Sequence, residues 1–141
     1  MEKCLIWGNF QDNYKMIEVR RGDLVWLKPG IEGVKSLGKN VQNMSRPYIV
    51  ISNNKNNKYS PTIQLAAVSK QVSKSVYPMH VFLSKNNYDC LQHDSIVLLE
   101  QVITVNKELV QRNALSLTKE DLKKVNKAIF MQMIDDRMNL T

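Results

Sequence analysis

The stretch SRPYIVISNNKNNKYSPTIQLAAVSK, residues Ser45 to Lys70, reads as strand, polar loop, strand. RPYIVIS is rich in β-branched and aromatic residues, NNKNNKYSP is a turn cluster, and TIQLAAVSK returns to apolar residues, which together predict a hairpin. Arg46 stands at the mouth of the first strand and Ser69 at the end of the second. In an antiparallel pair these two ends lie side by side, so the guanidinium and the hydroxyl become neighbours across 22 intervening residues. A charged fork beside a hydroxyl suits a phosphate. Pro47 cannot donate to a ladder, which puts this point at a strand start or an edge, where a ligand can reach Arg46.

Outward from the hairpin, Asp23 to Lys28 alternates as a first strand, preceded by the turn residue Gly22, with Trp26 expected in the core. The loop Gly30 to Met44 holds Lys35, Lys39 and Gln42 and runs directly into Arg46, so it can fold over whatever Arg46 binds. After the second strand, Lys70, Lys74 and Lys85 mark a basic, hydroxyl-rich segment of the kind that holds a phosphate backbone without reading sequence. His80, at strand spacing in MHVFL, reads as a structural residue, and His93 as solvent-exposed. SIVLLEQVIT, Ser95 to Thr104, reads as the central strand. Within it Glu100 is expected to be buried against backbone amides or an arginine, and Gln101 to face the groove. Thr118 caps a C-terminal helix with Asp121 three residues on. Leu122, Val125, Ile129 and Met133, with Ala128, form its buried stripe. Five or six short strands and one closing helix give the fold class: mainly β (α+β), a curved antiparallel sheet or SH3-like small barrel with a C-terminal α-helix.

The 141 residues fit one domain, and the formal charge of +7 favours a polyanionic partner. That charge is uneven: Lys15 to Lys85 carries twelve Lys/Arg against three acids, and the remainder eight against ten. The excess therefore sits on the strands and their loops. Cys4 and Cys90 have no metal or redox spacing, and with two scattered histidines they make no metal-ligand cluster. Free thiols, no apolar run of membrane-spanning length and no signal-peptide core lead to the expectation of a cytoplasmic protein. Residues 1–20 have no clear period and read as an N-terminal extension of unknown role before a domain at 21–141.

Five segments in order, RGDLVWL (Arg21–Leu27), SRPYIVIS (Ser45–Ser52), NKYSPTIQLAAVS (Asn57–Ser69), PMHVFL (Pro78–Leu83) and HDSIVLLEQVIT (His93–Thr104), resemble the MazF/PemK family of toxin endoribonucleases. The resemblance implies a metal-independent, sequence-selective ribonuclease that needs no cofactor. It would cleave single-stranded mRNA to 2′,3′-cyclic phosphate and 5′-hydroxyl ends, as a homodimer neutralised by an acidic antitoxin protein. It casts Arg46 and Ser69 as catalytic, Asp23 as structural, and Lys35, Lys39, Gln42, Lys70, Lys74 and Gln101 as RNA contacts. The chain departs from the family at three places: Val41 where a Glu is common, Ser69 where Thr is usual, and Ile103 where Arg is usual. No general base stands out. Two alternatives stay open at this point, a CcdB-like inhibitor of DNA gyrase and a degenerate family member that binds RNA or antitoxin without cleaving.

Overall fold

The apolar runs become six strands and a C-terminal helix in the computed structural model, which describes residues 18–28, 46–70 and 77–134. They are β1 (Asp23–Leu27), β2 (Tyr48–Val50), β3 (Thr62–Ser69), β4 (His80–Leu83), β5 (Ser95–Asn106) and β6 (Val110–Ser116). A short helix α1 (Asn54–Tyr59) joins β2 to β3, and α2 (Lys119–Met133) follows β6. All pairings are antiparallel, in the order β4-β5-β3-β2-β1-β6. Among the described residues the order is open, with β4 and β6 as edges, so of the two expected forms it is the open sheet that is found.

Period-two alternation sorts the side chains onto two faces. Ile49, Ala66, Val68, Val81, Leu83, Val97 and Leu99 belong to one cluster, closed by Val125 and Ala128 of α2. Val25, Tyr48, Val50, Leu65, Ala67, Val105 and Val110 belong to the other.

The polar stretch between β2 and β3, expected to be a turn, is partly helical. Asn53 caps α1 by accepting from the Asn56 backbone N–H at 2.9 Å. The buried Asn57 donates from Nδ2 to the Ser52 carbonyl at 2.9 Å and accepts from Ser52 Oγ, while Ser52 Oγ accepts from the Gln64 N–H at 3.1 Å. Lys107 Nζ closes the knot by donating to the Asn57 carbonyl at 2.7 Å. Side chains thus satisfy the backbone that a tight turn would leave to water.

Asp23 is buried and structural, as the resemblance implied: it accepts from the Arg20 N–H at 2.8 Å, from Asn113 Nδ2 at 2.7 Å and from Ser116 Oγ. Gly22 before it has φ +92°, and its N–H donates to the Val50 carbonyl at 2.7 Å. Trp26 is half-buried against the first cluster.

The remaining expectations need correction on β5 and on α2. β5 lies second from an edge, between β3 and β4, and not at the centre. Its register shifts: Val102 pairs with Ala66 but Leu98 with Ala67, so Leu99, Glu100 and Gln101 form a three-residue bulge. Glu100 is consequently exposed, and its partner is His80 instead of an amide or arginine of the core. On α2, Thr118 Oγ1 accepts from the Asp121 N–H at 3.1 Å, but the Asp121 carboxylate turns to the Tyr88 hydroxyl at 2.5 Å. Tyr88 in turn accepts from the Thr118 N–H at 3.1 Å. Val125 and Ala128 are buried and Leu122 and Ile129 partly so, whereas Met133 is 50% exposed, in a last turn whose Phe130 and Met131 are exposed as well.

Candidate nucleic-acid site at the hairpin mouth

β2 and β3 pair Tyr48 with Ala67 and Val50 with Leu65, and the Val68 N–H donates to the Pro47 carbonyl at 3.1 Å. Arg46 precedes β2, and the same register, continued two residues past Tyr48, would bring it opposite Ser69. β5 and β4 extend this row, because Ser69 pairs with Ile96 and Ile96 with Phe82. Across four strands the row therefore runs Arg46, Ser69, Ile96, Phe82. The adjacent row runs Tyr48, Ala67, Leu98, His80. Alternation puts both rows on one face, since the intervening Val68, Val97 and Val81 belong to the cluster under α2.

Tyr48 is the residue that sequence reading passed over. Its side chain is fully buried, and its hydroxyl has no hydrogen-bond partner. Burial pushes that hydroxyl above the usual phenol range, and the Arg46 guanidinium opposes the shift. Arg46 thus lies within electrostatic reach of the phenol as well as across from Ser69. The signal was present as the i, i+2 spacing of Arg46 and Tyr48, but an aromatic inside an apolar strand reads first as core.

His80 carries the second unpartnered buried polar atom among the described residues, Nδ1. Its Nε2 lies 3.0 Å from both carboxylate oxygens of Glu100. A proton on Nδ1 would bury a donor without an acceptor, at a cost of roughly 1–3 kcal/mol. In the neutral ring the proton therefore sits on Nε2 and donates to Glu100. His80 is structural in the sense expected, yet it holds a carboxylate in the open. Tyr77, 57% exposed, packs on the imidazole with ring centres 5.1 Å apart.

Of the residues expected to touch RNA, Lys70 is exposed directly after Ser69, and Gln101 is exposed in the β5 bulge beside Glu100. Lys35, Lys39, Gln42 and Lys74 lie outside the described residues, as do Val41 and most of the N-terminal extension. Ile103, where the family usually has Arg, is half-buried against the second cluster.

Residues 20–132 match the family model described as PemK-like, MazF-like toxin of type II toxin-antitoxin system. A relative named Endoribonuclease MazF, from Staphylococcus saprophyticus subsp. saprophyticus, is 37% identical over 113 residues, covering 79% of this chain and 88% of the relative. Among solved structures, an endoribonuclease from Mycobacterial species superposes with a TM-score of 0.63 at 16% identity, covering 84% of this chain and 94% of that one. An endoribonuclease in complex with its cognate antitoxin, also from Mycobacterial species, gives 0.61 at 16% identity, covering 82% and 94%. MazE-MazF from Deinococcus radiodurans gives 0.59 at 19% identity, covering 82% and 95%. The open antiparallel sheet with its closing helix is thus shared with these structures. The length of the family match and the identity to the staphylococcal relative show that this chain belongs to the PemK-like, MazF-like toxins of type II toxin-antitoxin systems.

Proposed function

We propose that this chain is an endoribonuclease toxin that cuts single-stranded RNA without a metal ion or other cofactor, at the mouth of the β2–β3 hairpin. The observation that carries the reading is the β2–β3 register, which, continued to the hairpin mouth, brings Arg46 opposite Ser69, in a chain of this family. In the reaction the 2′-oxygen loses its proton and bonds to the adjacent phosphorus. The P–O5′ bond breaks, and the departing 5′-oxygen takes up a proton, leaving 2′,3′-cyclic phosphate and 5′-hydroxyl ends. Arg46 meets the non-bridging oxygens through two N–H bonds that strengthen as charge builds on them. Ser69 donates its hydroxyl to the same phosphate. Lys70 and Gln101, with Lys35, Lys39, Gln42 and Lys74, hold the flanking strand.

Residues 21–141 form the toxin domain in this reading, and residues 1–20 precede it. Val19, buried in the second cluster, ties the end of that extension to the sheet. The protein works as a homodimer in the cytoplasm, and an acidic antitoxin segment neutralises it by occupying the basic groove. Among the described residues no helix is long and apolar enough to cross a membrane.

Cleavage of a long unstructured RNA in excess EDTA, by the wild type and Arg46→Ala with fragment ends mapped, tests the reading. Discrete cuts with cyclic-phosphate ends, lost in the variant, are expected. Intact RNA from folded, antitoxin-free protein, with gyrase trapped on DNA instead, would replace it by the gyrase-inhibitor alternative.

A further inference from the structure

We infer that Phe82 and Glu100 form a nucleobase subsite beside the Arg46–Ser69 row, one that accepts a base bearing an exocyclic amine and rejects uracil. This rests on the ribonuclease reading above and adds to it a determinant of sequence choice. Phe82 is 42% exposed although it lies in a strand between the buried Val81 and Leu83. Alternation sends its ring to the face that carries Arg46 and Ser69, in their own register row. The ring thus presents an apolar plane on the face that carries the candidate site, next to the Glu100–His80 pair. Nucleobases are planar, and unstacked RNA bases dock on exposed aromatic rings.

Glu100 supplies the selectivity. It stands in the bulge of β5, outside both ladders and just past Leu98, and its carboxylate meets His80, whose row lies next to that of Ser69 and Phe82. A carboxylate in a basic groove repels phosphate, so its place beside an RNA strand is at a base edge and not at the backbone. His80 fixes it: the imidazole is wedged between Tyr77 and the sheet, and Nε2 bridges both oxygens at 3.0 Å. That N–H occupies the side between the two oxygens and leaves their outer lone pairs. An ionised carboxylate only accepts hydrogen bonds, so those lone pairs take the amino group of adenine, cytosine or guanine. Uracil has no amino group, and its one donor on that edge, N3–H, is flanked by two carbonyl oxygens that repel the carboxylate.

The test is cleavage of a randomised single-stranded RNA pool by the full chain, with cut sites sequenced, for the wild type, Glu100→Gln, Phe82→Ala and Arg46→Ala. Both Glu100 and Phe82 side chains are exposed, and circular dichroism checks that the variants fold. The wild type is expected to disfavour uracil at one position near the cut by about tenfold or more. Glu100→Gln, whose amide can donate to a carbonyl, should lose that bias while still cutting. Phe82→Ala should raise KM about tenfold whichever base sits there. An unchanged uracil bias in Glu100→Gln, or an unchanged KM in Phe82→Ala, overturns the subsite, and so does uniform loss of all cutting in Glu100→Gln, which would place Glu100 in the cutting machinery. If the wild type cuts nothing, or Arg46→Ala cuts as well as the wild type, the ribonuclease reading itself fails.

Discussion

The two ends of the β2–β3 hairpin are built on opposite principles. At the turn end, Ser52, Asn53, Asn57, Gln64 and Lys107 exchange hydrogen bonds until the buried amide of Asn57 has a partner at each end. Arg21 adds a clasp there, donating from Nε to the Ile51 carbonyl at 2.9 Å and from Nη1 to Asn126 of α2 at 2.6 Å. At the mouth, Tyr48 and His80 leave buried polar atoms unpartnered, and Phe82 stands in water. Closed networks hold a fold, while a buried polar atom without a partner calls for an explanation, which the site proposed at the mouth supplies. Substitutions at the two ends should therefore separate stability from activity.

Arg46→Ala should give the largest effect, a fall in cleavage rate of about 10²–10³ or more with little change in the urea midpoint. A comparable loss of stability would show that Arg46 braces the sheet. At the turn end, Asn57→Ala leaves the Ser52 hydroxyl and carbonyl buried without their partner, and chemical unfolding should report a loss of roughly 2–3 kcal/mol with RNA cleavage by the folded fraction unchanged. Tyr88→Phe tests a third, purely structural network and should cost about 1.5–3 kcal/mol, since the bond to Asp121 is to a charged group. Burial, then the bond to Asp121, raises the Tyr88 hydroxyl above its ordinary value of 10.0. The unfolded chain therefore releases this proton first. Wild-type stability should fall as the pH rises above that value, and by less in Tyr88→Phe; Tyr48, shifted the same way, retains part of the slope. The smallest effect belongs to Met133→Ser. With this side chain 50% exposed, the change should stay within about 0.5 kcal/mol, and a larger loss would mean that the helix end is covered.

The hairpin was legible in the sequence because period-two alternation sets register, and the pairing of Tyr48 with Ala67 and Val50 with Leu65 follows it. The helix start was legible because Thr118 carries its own capping chemistry. Helix α1 was not, since Asn53 and Asn57 look like turn residues until Ser52 and Lys107 are brought to them by the fold. The exposure of Glu100 was hidden by SIVLLEQVIT itself, whose unbroken apolar character gives no sign of a bulge. Met133 keeps the helical period of the buried stripe, but periodicity does not say where the sheet beneath the helix stops.

The bulge in β5 is also a change of phase. In an unbroken strand Leu98 and Val102 would share a face, yet Leu98 packs on one cluster and Val102 on the other. The three inserted residues invert the alternation, so each half of the strand keeps its own frame. Glu100 and Gln101 stand at the junction, free of both ladders. If they read the RNA as proposed, evolution can exchange them without re-registering either half, and the choice of target can drift while the core that supports it stays the same.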